Sequence, residues 1–298
     1  MNEEYITLGL KLGFDEVGFT SVNYLNNLEE IYNKQDKLQY KTSFQTGKTD
    51  DKIFKSNKYS KYNSAIVVLM SYQNSKNYIN NLKENDLYFS SHVWGEDYHI
   101  VLKNKLDIMS SSLLNEGYVS EIFVDNNELD ERALAYNAGL GYFGLNNLLF
   151  NDKLGSYFFI GVILTDAKFI YGKKLNKTCL KCNKCINACP TGSIGSNNIL
   201  NGNTCLSYIT QKRNITLDEE KKLNNCVYGC DVCSNVCPLN DNISKSDNFN
   251  LEEKDIIIKD EFLSMSQEEF NSKYKNSSIF WRGKKIVERN VTKSRIKN

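Results

Sequence analysis

The sequence predicts an α+β protein with two unequal parts, and three observations lead to that class. Helical and strand-like apolar patterns alternate through about the first 170 of the 298 residues. All nine cysteines lie beyond that region, mostly in two short runs. Both prolines of the chain, Pro190 and Pro238, directly follow a cysteine and close those runs. We therefore expect an α/β domain first and a small cysteine-rich domain after it.

The elements of the first part follow from the spacing of its apolar residues. In chain order we predict a helix at 5–12, a strand at 65–72, a helix at 98–114, a strand at 119–124, a helix at 129–138 and strands at 157–165. Alternation of this kind is typical of an α/β layer structure that holds a ligand between its elements. The chain lacks G-x-G-x-x-G and Walker A patterns, so the common nucleotide folds are not predicted.

The first cysteine run has the spacing C-x2-C-x2-C-x3-C-P that is typical of bacterial ferredoxins. Its cysteines are Cys179, Cys182, Cys185 and Cys189. In such a run three thiolates hold one 4Fe-4S cubane and the fourth binds a second one. By the same rule Cys237, which ends the second run, returns to the first cubane. The spacing therefore predicts two 4Fe-4S clusters and a protein that transfers electrons.

The second cubane takes Cys189, Cys230 and Cys233 and needs one more thiolate. Spacing alone leaves Cys205 and Cys226 as the two choices, because eight ligands from nine cysteines leave one spare. Paired C-x2-C units also bind structural zinc. Zinc sites seldom need a third cysteine two residues on, or a proline after a fourth, so iron-sulfur clusters are the better interpretation.

The first residues of the chain and its apolar runs indicate in which compartment the protein is expected. The first ten residues, MNEEYITLGL, are acidic and lack a basic n-region, so no signal peptide is predicted. Apolar runs such as 157–164 are far shorter than the roughly 20 residues needed to cross a bilayer. Crowded C-x2-C spacing also does not suit a disulfide framework. We expect a soluble cytoplasmic protein with no membrane contact, and a monomer.

The segment between the two parts, residues 123–166, is rich in glycine. Asp125 closes a predicted strand and precedes a helix, where an aspartate can simply act as a cap or turn residue. The glycines of this segment suggest turns or a close approach of the backbone to a flat ligand.

At this point the chain resembles the epoxyqueuosine reductases, a cobalamin and double 4Fe-4S family related to the reductive dehalogenases. The motifs are a strand ending in Asp125, then Glu131 and Arg132, AGLGYFG, GSYFFIG and the two cysteine runs. The resemblance also includes WGEDYHIVL at 94–102 and SSIFWRGKKIVERN at 277–290, so it covers nearly the whole chain.

The resemblance implies an activity, cofactors and partners. The family reduces the epoxide of epoxyqueuosine at the wobble position of tRNA to queuosine, with cob(I)alamin as nucleophile and electrons from two 4Fe-4S clusters. The implied partners are the tRNA anticodon loop and an external low-potential electron donor. Asp125 stands where the family has its general acid, which would require its pKa to rise by several units from about 3.9.

The resemblance also implies which residues contact cobalamin and which complete the clusters. Asp97, Tyr98 and His99 match the start of the Asp-x-His-x-x-Gly pattern, in which the histidine is the lower ligand of cobalt, but Leu102 stands in place of its glycine. A base-off cobalamin is therefore expected. Cys205 lies in a segment like the family's and is implied as the eighth thiolate, with Cys226 as the spare. The implied cobalamin contacts are Asp97, Tyr98, His99, Arg132, Gly139, Gly141, Gly144, Asn146, Gly155 and Ser156.

Two features depart from the family pattern. Leu145 stands where many members have lysine, which removes a cationic contact. The chain also stops shortly after Asn290, where longer members continue into helical repeats. Residues 271–298 carry nine cationic side chains against one acidic residue, Glu288, and include Phe280 and Trp281. This tail is predicted to be either an RNA-binding arm that stacks on a base or a solvated, frayed terminus.

The predicted organisation is a catalytic, cobalamin-binding α/β domain at 1–170, a ferredoxin-like double-cluster domain at 171–245, and a short basic segment at 246–298 that packs back on the first domain. Two alternatives to the tRNA enzyme stay open. One is a corrinoid reductase of a small molecule such as an organohalide. The other is a two-cluster electron carrier without cobalamin, which would leave the first 170 residues without a role.

Overall fold

The fold is that of a computed structural model, which describes residues 1–72, 83, 86–195 and 199–294. The first half contains α1 (Asn2–Lys11), β1 (Glu16–Ser21), α2 (Asn26–Lys37), α3 (Thr49–Lys52), β2 (Ser64–Ser71), β3 (Asp86–Phe89), α4 (Tyr98–Asn115), β4 (Ser120–Phe123), α5 (Glu131–Asn137), β5 (Tyr142–Phe143), β6 (Leu149–Phe150) and β7 (Phe158–Thr165). The helices and strands predicted in this region are confirmed, with ends that differ from the prediction by at most three residues.

The central sheet corrects the prediction of an α/β layer structure. Its strand order is β1-β2-β7-β4, and all three neighbouring pairs are antiparallel. The apolar alternation gave the elements but not the direction of the strands, because parallel and antiparallel strands can share one pattern when both faces are covered. Mixed α+β architecture is therefore the correct class for this part.

Helices cover both faces of the central sheet. On one face, Ile66 and Val68 of β2 pack with Leu102 and Leu106 of α4 and with Tyr5 of α1. On the other face, alternate residues of β2 pack against α5 and α2. All eight residues of β2 are consequently buried. This packing places the beginning of α4 and the end of β4 at the same edge of the sheet.

The second half of the chain is built from short elements. They are α6 (Lys184–Ala188), α7 (Leu206–Gln211), α8 (Leu217–Glu220), β8 (Cys226–Tyr228), α9 (Val232–Asn235), β9 (Ile256–Ile258), α10 (Lys259–Ser264), α11 (Gln267–Tyr274) and α12 (Lys284–Lys293). A second sheet has the order β8-β3-β9 and so joins strands from the cysteine-rich segment, the first part and the C-terminal segment. The three predicted regions therefore share one of their sheets.

The C-terminal segment is an ordered part of the fold as far as residue 294, which corrects the alternative of a frayed terminus. Val287 and Val291 of α12 are fully buried in the core around the second sheet. Several of its basic residues have internal partners: Arg289 donates to the carbonyl oxygens of Lys212 and Arg213, and Lys284 pairs with Glu288. Arg295 and Lys297 of the predicted arm lie outside the described residues. Within the described ranges, no helix combines the length and apolar character needed to cross a membrane.

Candidate active site

Asp125 lies in a tight turn directly after β4. Asp125 and Asn126 both have positive φ angles, 45° and 44°, a region that Asp and Asn tolerate better than most residues. Glu131, the first residue of α5, holds the turn in place: its Oε1 accepts from the Asp125 backbone N–H at 2.9 Å and from Asn127 Nδ2 at 2.7 Å. The turn presents the Asp125 side chain to solvent, with 57% of it exposed.

The start of α4 supplies the partners of Asp125. Asp97 caps the helix by accepting from the His99 backbone N–H at 3.0 Å. This cap orients the next two side chains: Tyr98 donates its hydroxyl to Asp125 Oδ2 at 2.5 Å, and His99 Nε2 lies 3.5 Å from the same oxygen. His99 Nδ1 lies 2.7 Å from Asp97 Oδ1, so the imidazole is held between two carboxylates.

The electrostatics of this group correct the expectation of a raised pKa at Asp125. Burial raises that pKa, but hydrogen bonds from His99 and Tyr98 outweigh it and bring the value to about 2. For His99 burial lowers the pKa, while the bonds to Asp125 and Asp97 outweigh burial and raise it to about 9. At neutral pH the proton of this pair therefore resides on the imidazole.

Two neighbours complete the group. The Asn126 amide nitrogen lies 2.8 Å from His99 Nε2. A protonated imidazole donates from Nε2 and needs an acceptor there, so the Asn126 amide must then be turned to place its oxygen next to Nε2. Burial raises the pKa of Glu131 to about 8, with the Asp125 charge as the next cause. Glu131 is therefore largely protonated at neutral pH while it still accepts from the Asp125 turn.

A cavity of about 220 Å³ opens next to Asp125, which we call the Asp125 cavity. Besides Tyr98, His99, Asp125 and Asn126, its lining comprises Phe44, His92, Val93, Gln211, Tyr228, Ser278 and Trp281. Trp281 donates its indole N–H to the Tyr228 hydroxyl at 2.7 Å, which fixes the ring at the cavity wall. The arrangement places a proton-bearing group beside an aromatic wall.

An outer cavity of about 470 Å³ adjoins the first one and shares Phe44, Asn126 and Trp281 with it. The Arg282 guanidinium lies 3.5 Å from the ring centroid of Trp281 and 4.2 Å from that of Phe44. Lys212 and Arg213 also line this outer cavity. Cationic and aromatic side chains together are the combination that binds phosphates and stacks on bases.

A third cavity, of about 430 Å³, lies between α2, α5 and the β5–β6 region, and we call it the Arg132 cavity. Its walls include the aromatic rings of Tyr32, Tyr136 and Phe143. The Gln35 side-chain oxygen is buried there and lacks a hydrogen-bond partner among the described residues. An aromatic cavity with unpartnered polar groups is the usual form of a cofactor site.

The residues predicted to contact cobalamin divide between different environments. Arg132 and Gly144 line the Arg132 cavity, while Asp97, Tyr98 and His99 belong to the Asp125 group. Three of the glycines face protein instead: a Cβ would lie 2.4 Å from Lys173 O at Gly139, 2.7 Å from Phe150 O at Gly141 and 2.1 Å from Asn240 Oδ1 at Gly155.

Two further predicted contacts are likewise placed among protein groups. Ser156 is buried, and both its backbone N–H and its hydroxyl bond to the Asn240 side chain, at 2.9 and 3.0 Å. Asn146 lines a small cavity together with Cys179, Cys182, Cys185 and Cys237. For Gly139, Gly141, Gly155 and Ser156, close packing within the protein already explains the residue type.

The cysteines lie in two spatial groups. Cys179, Cys182, Cys185 and Cys237 line this same small cavity, although more than 40 residues separate Cys237 from the others in sequence. Burial raises the pKa of Cys233 to about 12, and nearby charge at Cys205 is the next cause, followed by other groups that include Cys189. For Cys230, burial and then Cys233 and Cys205 act in the same direction. Cys205, Cys230 and Cys233 therefore lie near one another, with Cys189 close to Cys205, and we call these four the second group, although Cys185 of the first group is also a neighbour of Cys233.

Cys226 occupies a different position from the eight grouped cysteines. It is 1% exposed, begins β8 and directs its thiol to the Tyr228 carbonyl oxygen at 3.4 Å. Burial raises its pKa well above the usual value. This is the setting of a small buried side chain.

Sequence reasoning missed several residues of the Asp125 cavity. Phe44 comes from a loop with no recognisable sequence pattern. Gln211 and Tyr228 come from the cysteine-rich segment, where only the cysteines have a recognisable spacing. Only Trp281 had a signal, as an aromatic residue next to Arg282 in a basic stretch. These residues come from four separate segments of the chain, so no sequence spacing could have predicted that they lie together.

Comparisons with known proteins identify two matching families. Residues 56–126 match a family described as epoxyqueuosine reductase QueG, DUF1730, and residues 178–240 match a 4Fe-4S double cluster binding domain. Among curated proteins, the epoxyqueuosine reductase of Bacillus subtilis (strain 168) is 30% identical over 98% of this chain and 78% of its own length.

Solved structures give the same result. A Bacillus subtilis epoxyqueuosine reductase, described with its catalytic aspartate loop swung out of the active site, is 27% identical with a TM-score of 0.90. An epoxyqueuosine reductase bound to an epoxyqueuosine-modified tRNA stem loop is 28% identical with a TM-score of 0.88. Each comparison covers 98% of this chain and 80% of the other.

Proposed function

The chain belongs to the epoxyqueuosine reductase family of iron-sulfur oxidoreductases, and from that premise we propose that it reduces the epoxide of epoxyqueuosine at the tRNA wobble position to queuosine. The reaction converts an epoxide to an alkene, consumes two electrons and two protons, and releases the oxygen as water. The observation that carries the proposal is the Asp125 cavity, which joins a proton-bearing group to an aromatic and cationic rim.

The residues around the Arg132 cavity suit cobalamin. Arg132 can meet the phosphate of its nucleotide tail, and the unpartnered Gln35 oxygen and the Asn147 amide can meet the amides of the corrin rim. When bound, cobalamin would supply a low-potential cobalt nucleophile able to open a strained epoxide. The aromatic walls, with Tyr32 buried among them, would keep water from that chemistry.

The clusters are the electron source in this proposal. We assign the first cubane to Cys179, Cys182, Cys185 and Cys237 and the second to Cys189, Cys205, Cys230 and Cys233. The grouping of the cysteines supports Cys205 over Cys226 as the eighth ligand, because Cys205 lies near Cys189, Cys230 and Cys233. Cys179 lines both the first cubane's cavity and the Arg132 cavity, which supports transfer between them.

The proton reaches the epoxide oxygen through Asp125 in this proposal. Asp125 is a carboxylate at rest, and the proton is stored on His99, whose pKa is raised to about 9. As negative charge grows on the opened oxygen, a proton from the pair moves to that oxygen, and Asp125 is the member of the pair that faces solvent. Tyr98 and Asp97 keep the two groups aligned through bonds of 2.5 and 2.7 Å.

The RNA would approach over the outer cavity. Arg282, Lys212 and Arg213 can bind phosphates there, and Trp281 and Phe44 can stack on the extruded base. Substrate binding by these residues uses the C-terminal segment through α12 and the turn before it. The relative with a bound tRNA stem loop, at 28% identity, supports an RNA substrate.

The decisive experiment is conversion of epoxyqueuosine-containing tRNA by the anaerobically reconstituted enzyme, with mass spectrometry of the wobble nucleoside. We expect queuosine from the wild type and a loss of roughly 10² to 10⁴-fold in rate for Asp125→Asn. Asp152→Asn, at an exposed acid outside the four cavities described above, is the matched control and should keep the wild-type rate. Untouched tRNA alongside turnover of an organohalide would instead support the small-molecule reductase.

A further inference from the structure

Asn146 occupies an unusual position for an amide side chain. It is 4% exposed and lines the small cavity that is also lined by the four cysteines of the first group. Its Oδ1 accepts from the Leu148 backbone N–H at 3.3 Å, while its Nδ2 is buried and has no hydrogen-bond partner among the described residues. A buried amide donor without a partner is destabilising, so a partner is expected in the assembled protein.

We infer that Asn146 donates an N–H···S hydrogen bond to the first cubane, at a thiolate or a sulfide. The inference rests on the cluster assignment in the proposed function and not on its substrate. Hydrogen bonds to cluster sulfurs stabilise the more negative, reduced state and so raise the reduction potential. Asn146 would then make the first cubane a better electron acceptor than a similar cubane in an apolar wall, without binding iron.

The test is an EPR-monitored redox titration of the reconstituted protein without tRNA. In Asn146→Leu, which keeps the branched shape and the number of heavy atoms but removes the donor, we expect the reduced-to-oxidised ratio of the first cubane at a fixed potential to fall about tenfold, or about 59 mV for one electron. The second cubane should keep its potential and is the internal control. Asn146→Asp, which is similar in size, should lower the potential as well.

A measurement on the wild type keeps the inference independent of how the variants assemble. Pulsed EPR in D₂O should detect an exchangeable deuteron coupled to the reduced first cubane, and that coupling should vanish in Asn146→Asp. An unchanged potential in both variants, or no coupling from an exchangeable deuteron that depends on Asn146, would overturn the inference. A failure to convert tRNA would leave these readouts unaffected.

A different observation carries a second inference about where electrons enter. Residues 167–217 contain eight cationic side chains and no acidic one, whereas the whole chain is nearly neutral at +1. Within this segment, Lys173, Lys181 and Lys184 are exposed and have no ion-pair partner in the described part of the chain; Lys177 pairs with Asp152 at 2.5 Å. The cluster segment therefore presents an uncompensated positive face.

The centre of that face is apolar and contains a cluster ligand. Leu180 is 61% exposed and lies between Lys181 and the first cubane's Cys179, and Cys182 is also exposed. An apolar centre with a charged rim is the usual anatomy of a protein interface, and complementary charge steers short-lived encounters. Cys182 makes this the point where the described structure brings a cubane ligand to the surface.

We propose that the face around Leu180, Lys181 and Lys184 docks an acidic one-electron carrier protein. In each encounter the carrier is oxidised by one electron and the first cubane is reduced by one, so two encounters supply the two electrons of one epoxide reduction. RNA phosphates would also favour such lysines. The outer cavity already provides a cationic rim beside Asp125, whereas this face centres on a thiolate ligand, which favours the carrier.

The test measures the rate of cubane reduction by stopped flow, with reduced flavodoxin as the acidic carrier and photoreduced deazaflavin as a small reductant. For Lys181→Glu/Lys184→Glu we expect a loss of about tenfold or more at low salt with flavodoxin, no loss with deazaflavin, and convergence with the wild type in high salt. Lys11→Glu/Lys275→Glu changes two exposed lysines elsewhere and is the matched control.

Each remaining outcome counts against the carrier. Equal flavodoxin rates in the two charge-reversal variants would mean a solvated face. A weakened binding of the tRNA stem loop, with unchanged flavodoxin rates, would assign the face to RNA. Iron content and the EPR spectrum should match the wild type in both variants, because Lys181 and Lys184 are not ligands. If Lys181→Glu/Lys184→Glu loses iron, Leu180→Asp provides the same test at the apolar centre.

Discussion

At the scale of single residues, the central feature is that one proton is shared between Asp125 and His99. An unperturbed aspartate has a pKa near 3.9 and an unperturbed histidine one near 6.5, so either side chain alone would be mostly deprotonated at neutral pH. Their contact, with Asp97 behind the imidazole, raises the His99 pKa to about 9 and keeps the proton available through the physiological range. In the proposed reaction the pair, rather than either residue, is the acid.

This arrangement predicts a descending limb in the pH profile. Activity of the wild type should fall as pH rises through about 9, because the pair then loses its proton. Asp97→Asn keeps the helix cap but removes one of the two carboxylates that raise the His99 pKa, so the limb should move to lower pH. His99→Gln should lose about tenfold or more in rate and lack the limb. Identical limbs in all three proteins would contradict the shared proton.

Glu131 gives a second prediction at this scale, for stability. Its folded-state pKa of about 8 lies above the usual 4.5, so the native state binds the proton more tightly, and stability should decline as pH rises from about 4.5 through 8. Glu131→Gln keeps an acceptor for the Asp125 backbone N–H and removes this decline. We expect the variant to exceed the wild type in Tm at pH 9 and to approach it at pH 5.

The control for Glu131 is a glutamate with the opposite shift. Glu128 has a lowered pKa, chiefly because Lys58 and Tyr59 hydrogen-bond to it, so Glu128→Gln should not gain stability at pH 9. A thermal melt monitored by circular dichroism at both pH values is sufficient. Equal pH dependence in Glu131→Gln and the wild type would show that Glu131 is ionised in the native state.

At the scale of elements, α12 shows how a basic terminal segment becomes part of the core. Its apolar side is buried with the second sheet, and Asn290 is fully buried, with Nδ2 donating to the carbonyl oxygens of Thr210 and Val227 at 2.7 and 2.8 Å. Arg289 donates to further carbonyl oxygens around α7. The helix therefore secures the segment that carries Cys205 and β8, which sets the position of the cluster region.

Removing the Asn290 amide should loosen that connection. Asn290→Ala removes the amide donor from two buried carbonyl oxygens, leaving that of Thr210 with only the longer bond from Arg289, and it opens a small cavity. We therefore expect a loss of about 1–3 kcal/mol in the free energy of unfolding. Urea denaturation of the holoprotein measures it. Lys285→Ala, at an exposed position of the same helix, should stay within about 0.5 kcal/mol of the wild type. Comparable losses in the two variants would contradict the anchoring role of Asn290.

At the scale of the whole molecule, the proposed cluster assignment connects segments that are distant in sequence. In that assignment the first cubane joins Cys179, Cys182 and Cys185 to Cys237, and the second joins Cys189 and Cys205 to Cys230 and Cys233. Metal binding that links such segments contributes directly to the stability of the fold. Iron removal should consequently lower Tm and increase the exposure of the cluster segment to protease, while the central sheet persists longest.

The eighth ligand provides the sharpest prediction at this scale. Cys205→Ala should reduce iron from about eight atoms per chain towards about four, with loss of the second cubane's EPR signal. Cys226→Ala removes only a buried thiol and its bond to the Tyr228 carbonyl oxygen, so iron should stay near eight. Iron analysis after reconstitution decides between them, and full iron in Cys205→Ala with half in Cys226→Ala would reverse the assignment.

The sequence by itself determined the local features of this protein. Cysteine spacing predicted a double-cluster domain, apolar periods predicted α1, α4, α5, β2, β4 and β7, and combined motifs indicated the family. Each of these depends on residues close together in the chain, where geometry follows from spacing. Asp125 could be selected for the same reason, since it stands at a strand end within a recognisable set of motifs.

Only the tertiary structure decided the rest. Strand direction, the contact of Phe44 with Trp281 and Arg282, and the packing of Gly139, Gly141 and Gly155 against protein all depend on segments far apart in sequence. The protonation of Asp125 belongs to the same class: the pKa of a carboxyl group is set by its neighbours within a few ångströms, here Tyr98 and His99. The sequence indicated Asp125 as an ionisable residue of the site, whereas only the fold showed that His99 holds the proton at neutral pH.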